Sequence, residues 1–201
     1  MEPLIVCSNP MGHHATSLIT PLTEAKVRQL HAGDAIRIDG TVFTGRDRFH
    51  RFAADGGVCP AGMQGAVLYH CGPIVTGTPG QWKVVAAGPT TSMREEPYMK
   101  DVIARFGIRI IIGKGGMGAD TLDACSRYGC VYVQVVGGAA QFLGQRVVSV
   151  EDVHFLKEFG PAEAVWQCTV RKLPGIVTMD SHGRDLYAEI RKASRERHRR
   201  L

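Results

Sequence analysis

Two segments dominate the chain: G-P-T-T-S-M-R at residues 88–94 and, after a spacer of helix length, I-R-I-I-I-G-K-G-G-M-G at residues 108–118. The β-branched run in the second segment predicts a buried strand. Glycines follow it, and a helical pattern then runs from about 119 to 128. A strand, a glycine loop and a helix in this order are typical of an anion-binding site, because the free N–H groups and the dipole of a helix N-terminus attract negative charge.

Several interpretations of the glycine loop compete. A Walker P-loop is excluded, because five residues rather than four separate Gly107 from Gly113 and a glycine follows Lys114. The dinucleotide fingerprint G-x-G-x-x-G is matched by Gly113, Gly115 and Gly118. The next predicted strand, however, ends without the acidic residue that would bind the ribose. A structural glycine turn and a small-anion site with Lys114 as a point charge both stay open.

Composition indicates a soluble globular protein: 201 residues, 44% hydrophobic and 21% charged, are enough for one domain with a sizeable core. The net charge of +5 is located at the C-terminus, where residues 191–201 hold six Lys or Arg and one Glu. This basic tail predicts a solvated helix end. No aromatic interleaving accompanies it, so we expect no nucleic-acid partner.

Six cysteines are scattered along the chain without a C-x-x-C pair or a zinc-ligand spacing. The N-terminus lacks a secretory signal pattern, and no apolar run approaches the ~18 residues that a membrane span requires. We therefore expect a reduced, cytoplasmic chain that itself binds no metal and no membrane.

Turn and cap signals predict the elements around these segments. Thr23 is a good helix N-cap, and Asp39-Gly40 predicts a hairpin turn between two strands. Asp47 can cap a helix on which His50 lies one turn further on. Pro174-Gly175 separates two late strands, 165–170 and 176–179. About seven strands with strand–helix crossovers predict a layered α/β domain.

Five motifs in order identify a family resemblance: T-G-R-D-x-x-H (44–50), C-G-P (71–73), G-P-T-T-S-M-R (88–94), K-G-G-M (114–117) and V-W-x-C…I-V-T-M-D-S-H-G (165–183). The chain resembles the β subunit, or equivalently the C-terminal domain, of class I iron–sulfur fumarate hydratases and the related L-tartrate dehydratases. The resemblance runs from about residue 19 to 189. It implies a swivelling three-layer β/β/α domain with a parallel central sheet, here residues 18–190, between an N-terminal extension (1–17) and the basic tail (191–201).

The resemblance also implies a function and a partner. The activity is that of a hydro-lyase, reversible hydration of fumarate to L-malate, at a site shared with an α subunit in an α2β2 heterotetramer. The [4Fe–4S] cluster is bound by cysteines of that α subunit and not by this chain. Tartrate dehydration is the alternative activity, and the segment G-G-A-A-Q-F-L-G (137–144) is more similar to the fumarase side.

Site residues are carried over from the family's motifs. The resemblance implies Thr90 as the proton-transferring group and Arg46, Arg94 and Lys114 as substrate-binding cations. The supporting residues are Asp47, His50, Thr91, Gly115 and Gly116. These residue types suit the chemistry, because a dicarboxylate needs two sets of donors and fixed cations stabilise the enediolate charge that forms next to a carboxylate.

Overall fold

The structure, a computed structural model, describes residues 15–199. The strands are Thr16–Ile19 (β1), Ala35–Thr44 (β2), Val67–Tyr69 (β3), Ile74–Thr76 (β4), Lys83–Ala86 (β5), Ile110–Gly113 (β6), Val131–Gln134 (β7), Val147–His154 (β8) and Val165–Met179 (β9). The helices are Glu24–Val27 (α1), Asp47–Ala54 (α2), Glu96–Phe106 (α3), Ala119–Tyr128 (α4), Ala140–Gly144 (α5), Leu156–Phe159 (α6) and Leu186–His198 (α7). A 3₁₀ turn, Ser92–Glu95, precedes α3.

The main sheet has the strand order β1-β2-β3-β6-β7-β9-β8, and β9 also pairs with β2. Strands β2, β3, β6, β7 and β9 therefore form a closed barrel. The first five strands of the order are parallel neighbours, whereas β9 is antiparallel to β2, β7 and β8. The predicted α/β class is confirmed, and the expected parallel sheet is correct for most but not all of its strands.

One bent strand, β9, occupies the place of the two predicted late strands. It runs through Pro174-Gly175 without interruption and turns at Lys172, whose φ is 50°. The Lys172 N–H donates to the Asp39 carboxylate at 3.0 Å. Gly175 lies where a Cβ would collide with Val133 of β7. The prediction of a break is wrong because here glycine permits close approach of two strands.

Gly40 also bends a strand where a hairpin was predicted. β2 continues through it, and its register against β9 shifts between Ile38 and Gly40. The φ of Gly40 is 101°, and a Cβ there would collide with the Thr20 hydroxyl. The prediction is wrong because β1 and β9 hold β2 on both edges, so the positive φ produces a bulge and not a reversal.

The barrel wall separates two cores. Ile110 and Ile112 belong to one cluster with inward side chains of β2, β7 and β9, while Ile111 belongs to a second cluster with helices α2, α3 and α4. The first cluster also includes Val27 of α1 and Leu143 of α5, so it lies on the opposite face of β6 from α2, α3 and α4. β6 is thus buried on both faces, which explains its uninterrupted run of isoleucines.

The C-terminal helix α7 lies on the surface. Asp185 caps it by accepting hydrogen bonds from the N–H groups of Tyr187 and Ala188, and the helix has no buried residue. It continues across the expected boundary between residues 190 and 191 into the basic segment. Most of the expected N-terminal extension lies outside the described residues. Within the described range, no helix combines the length and the hydropathy needed to cross a membrane.

Candidate active site at the barrel rim

The sequence-predicted site residues lie at one rim of the barrel. β2, β3 and β6 are parallel, so their carboxyl ends meet at the same edge, which is the usual place for a ligand in α/β sheets. The loops there carry the residues named above: Arg46, Asp47 and His50 after β2, Thr90, Thr91 and Arg94 after β5, and Lys114, Gly115 and Gly116 after β6.

Several hydrogen-bond and charge acceptors surround the guanidinium group of Arg46. Its guanidinium lies 3.3 Å from the Glu163 carboxylate, 4.0 Å from the Asp47 carboxylate and 3.3 Å from the carbonyl of Ala162. Gly72 of the C-G-P motif packs against it, and a Cβ there would lie 2.7 Å from Nη1. The absence of a side chain at Gly72 is therefore what makes room for Arg46.

Arg94 reaches the same carboxylate from the opposite side. Its Nη2 lies 3.1 Å from Oδ2 of Asp47, the oxygen that Arg46 also approaches. The Arg94 side chain is 47% exposed, whereas that of Arg46 is 22% exposed. Asp47 thus keeps two guanidinium groups close together, and a substrate carboxylate can take over these donors bidentately.

His50 fixes the backbone of Arg46. Its N–H and its Nδ1 both lie within hydrogen-bond distance of the Arg46 carbonyl, at 3.0 and 2.8 Å, so Nδ1 carries the ring proton. Burial lowers the pKa of His50 to about 4, and the ring is neutral at neutral pH. Asp47 is not the predicted cap, because Arg46 occupies the N-cap position and Asp47 is the first helical residue.

Thr90 presents a free hydroxyl. Its N–H donates to the carbonyl of His70, at the end of β3, at 2.7 Å. Its Oγ1 is buried and has no hydrogen-bond partner among residues 15–199. The Thr90 hydroxyl is therefore available to a ligand, as are the equally unpartnered hydroxyls of Thr20 and Thr178 elsewhere in the described residues. The hydroxyl does not cap the following 3₁₀ turn, whose N-cap residue is Thr91.

Lys114 adjoins the threonine loop. A bridge pairs it with Thr91, and its carbonyl accepts a hydrogen bond from the Ser92 N–H at 3.0 Å. In the part of the chain that the structure describes, its ammonium makes no ion pair. Gly115 and Gly116 follow with φ values of 84° and 77°, a pair of left-handed conformations that only glycine adopts readily.

The N-terminus of α4 is occupied by a carboxylate of the chain itself. Glu96 accepts hydrogen bonds from the N–H groups of Gly118, Asp120 and Thr121 at 2.7 to 3.2 Å, and from the Thr121 hydroxyl at 2.6 Å. A Cβ on Gly118 would collide with Glu96. The helix terminus is therefore not available for a phosphate, which disfavours a dinucleotide site and limits the anion site to the region of Lys114.

Removing this cap is expected to destabilise the chain. Glu96→Ala leaves several donors at the start of α4 without their charged acceptor and should lower the free energy of unfolding by about 2–3 kcal/mol. Urea denaturation of the full chain measures this, with the exposed Glu158→Ala as the control that should change stability by less than about 0.5 kcal/mol. Equal stabilities of the two variants would contradict the capping role.

Sequence reasoning missed several buried polar residues beneath the rim. The Ser92 hydroxyl lies 2.8 Å from Nδ1 of His70 and accepts a hydrogen bond from the Tyr132 hydroxyl at 3.0 Å. Glu163 pairs with Arg46, and Glu95 is fully buried beside His50. The only sequence signal was that Ser92 belongs to the G-P-T-T-S-M-R motif and Glu95 follows it directly, since the contacts themselves connect distant parts of the chain.

Metal ligands are not grouped at this rim. Among the described residues, no three His, Cys, Asp or Glu side chains converge as a metal site. The cysteines in the same range are unpaired, and four of them are buried: Cys71, Cys125, Cys130 and Cys168. What the rim loops do carry is two guanidinium groups on Asp47, the ammonium of Lys114 and the hydroxyl of Thr90, which are residue types suited to binding an anion and moving a proton.

Comparison with known proteins agrees with this arrangement. A family model described as Fumarase C-terminus matches residues 8–190. A Geobacillus stearothermophilus protein named as a class I fumarate hydratase is 46% identical over 193 residues, 96% of this chain and 37% of that protein. The chain thus spans little more than a third of that relative. The L(+)-tartrate dehydratase subunit beta of Escherichia coli is 36% identical over 182 residues, 90% of each chain. The chain belongs to the fumarase C-terminus family.

Proposed function

We propose that the chain is the β subunit of a class I hydro-lyase that hydrates fumarate to L-malate together with an α subunit. The observation that carries the proposal is the pair of guanidinium groups on Asp47, in the same set of rim loops as Lys114 and the hydroxyl of Thr90, which is unpartnered within the described range. Three cations suit a dicarboxylate dianion. The proposal assigns no residue of the described range as the base that activates Thr90 and places that base in a partner.

Each residue has a role in this proposal. Arg46 and Arg94 bind the substrate carboxylates in place of Asp47, and Lys114 faces the charge that develops next to the reacting carbon. Thr90 transfers the proton at that carbon, while a base of the partner holds the proton of its hydroxyl. Asp47, His50, Thr91, Gly115 and Gly116 keep these groups in place.

In this proposal the α subunit binds the iron–sulfur cluster, and both subunits form one assembly. The described residues do not fit a [4Fe–4S] cluster, so we place it in the α subunit and derive no step through it. We further propose an α2β2 heterotetramer in the cytoplasm, in which this domain swivels on the α subunit as a three-layer unit. The basic tail remains solvated and contacts no nucleic acid.

The alternative substrate is L(+)-tartrate. The relative named for tartrate dehydratase covers the same 90% of both chains, which keeps this alternative open. The segment 137–144 favours fumarate. Rates measured with fumarate, L-malate and L(+)-tartrate on one preparation separate the two, and a kcat/KM higher for tartrate would replace the fumarase assignment while leaving the residue roles unchanged.

Dependence on the partner is the direct test of the proposal. We expect the purified chain to be inactive, and to gain hydratase activity when it is co-expressed with an α subunit and the cluster is reconstituted anaerobically. Fumarate hydration by the iron-free chain alone would contradict it. Calorimetric titration of the chain with NAD or ATP should show no binding, because Glu96 fills the terminus of α4.

A further inference from the structure

Glu95 is a fully buried carboxyl beneath the two arginines of the proposed site. It follows Arg94 in the 3₁₀ turn, and its Oε2 lies 3.5 Å from Nδ1 of His50. The Asp47 carboxylate, which pairs with Arg94, lies near enough to raise the pKa of Glu95. No catalytic or binding role has been assigned to Glu95 in the preceding sections.

As a carboxylate, Glu95 would have no donor. Neither of its oxygens meets an N–H or O–H group among residues 15–199. His50 cannot supply one, because its Nδ1 proton is already given to the Arg46 carbonyl. Two carboxyl groups in contact can form a hydrogen bond only if one holds a proton. A proton on Glu95 meets this need, because the neutral acid donates to Asp47.

We propose that Glu95 is a positioning residue, held as a neutral carboxylic acid, whose hydrogen bond fixes Asp47 between Arg46 and Arg94. This inference rests on the proposed function, since it assigns a role within the same site. Loss of the proton would add a further negative charge to those of Asp47 and Glu163. Arg94 and Arg46 would then be drawn toward these carboxylates and away from the substrate.

The surroundings of Glu95 favour the neutral form. Burial and, after it, the Asp47 carboxylate together raise the pKa of Glu95 from the ordinary 4.5 to about 8, although Arg94 opposes the shift. Groups on each neighbouring element face this region: Asp47 and His50 on α2, His70 after β3, Glu163 before β9 and Arg94 on its own turn. Both histidines have lowered pKa values because of burial, so neither contributes a positive charge at neutral pH.

The first test uses the full chain without its partner. Between pH 4.5 and about 8 the folded state binds a Glu95 proton that the unfolded state has lost, so stability due to Glu95 decreases as the pH rises. The unfolding equilibrium constant of the wild type, relative to that of Glu95→Gln, should therefore rise about tenfold per pH unit in this window. Urea denaturation from pH 5 to 8 measures the unfolding equilibrium constant. The control is Glu158→Gln at an exposed position, for which this constant should change with pH as it does in the wild type.

The inference would be overturned if the unfolding equilibrium constants of the wild type and Glu95→Gln changed equally with pH. An infrared difference spectrum between these two chains at pH 7 gives an independent answer. If the wild type has an absorption band of a protonated carboxyl that Glu95→Gln lacks, Glu95 is a neutral acid. If the band lost in the variant is that of a carboxylate, the inference is contradicted.

The second test uses the complex with the α subunit. Glutamine preserves the donor to Asp47, so Glu95→Gln should keep kcat/KM within about threefold at pH 7, whereas Glu95→Leu should lose about tenfold or more. Above pH 8 the wild type should lose activity relative to Glu95→Gln, by about tenfold at pH 9. Identical pH profiles would contradict the positioning role. A wild-type complex without any activity would instead contradict the proposed function. The protonation of Glu95 is tested separately, by the denaturation and infrared experiments on the chain without its partner.

Discussion

Thr90→Val in the reconstituted complex is expected to lower kcat by about 100-fold or more with little change in KM, because a positioned proton-transfer group contributes about 10²–10⁴-fold. Valine keeps the shape of threonine and removes only the hydroxyl. Thr90→Ser keeps the hydroxyl and should retain much of the rate. Steady-state kinetics on the two variants and the wild type measure the difference.

Folding stability is the control for this prediction. The Thr90 hydroxyl has no hydrogen-bond partner among the described residues, so its removal should not lower the free energy of unfolding. A Thr90→Val chain that loses about 1 kcal/mol of stability and keeps kcat would assign the hydroxyl a capping role. That outcome would remove Thr90 from the chemistry and leave the subunit as a substrate clamp.

Arg94→Ala is expected to lower kcat/KM by about 10²–10³-fold, the usual cost of losing one charged donor from such a site. If Arg94 contacts the substrate and the transition state equally, the variant should have a higher KM and an unchanged kcat. If Arg94 faces the developing charge, kcat should fall as well. Arg127→Ala, which removes an exposed arginine paired with Asp123 on α4, is the matched control and should have almost no effect.

Arg46→Ala should differ from Arg94→Ala in stability. Arg46 is mostly buried and pairs with Glu163, itself only 17% exposed, so its removal leaves a carboxylate without its cation. Arg94 is 47% exposed, and its removal should leave the unfolding transition nearly unchanged. Equal losses of kcat/KM with unequal losses of stability would support this assignment. Wild-type kcat/KM in both variants would show that the substrate binds elsewhere.

Local signals in the sequence predicted the ends of individual helices. The predicted Thr23 cap is confirmed, since its side chain accepts the Lys26 N–H, and α4 has the predicted bounds. The three glycines that match the dinucleotide fingerprint have separate local causes: contact with Ser92 at Gly113, positive φ at Gly115 and contact with Glu96 at Gly118. A match to a dinucleotide fingerprint arose from these unrelated requirements.

Long-range pairing could not be predicted from the sequence. Ile38 pairs with Leu173, far along the chain, and nothing near either residue indicates this partner. The same limit applied to the site, where motifs supplied Arg46, Arg94 and Thr90 but not Glu95. The environment of Glu95 consists of Asp47 and His50, and its protonation follows from burial that only the folded chain defines.

The double pairing of β9 also has a consequence for the order of folding. One edge of β2 and one edge of β7 stay uncovered until β9, residues 165–179, has been synthesised and pairs with them. Contacts of such high sequence separation slow folding, and uncovered edges can pair with other chains. During synthesis the rim loops would exist before the strand that closes the wall behind them. A nascent chain stopped before Val165 should therefore aggregate, and the groups of the proposed site become fixed only after residues 165–179 have left the ribosome.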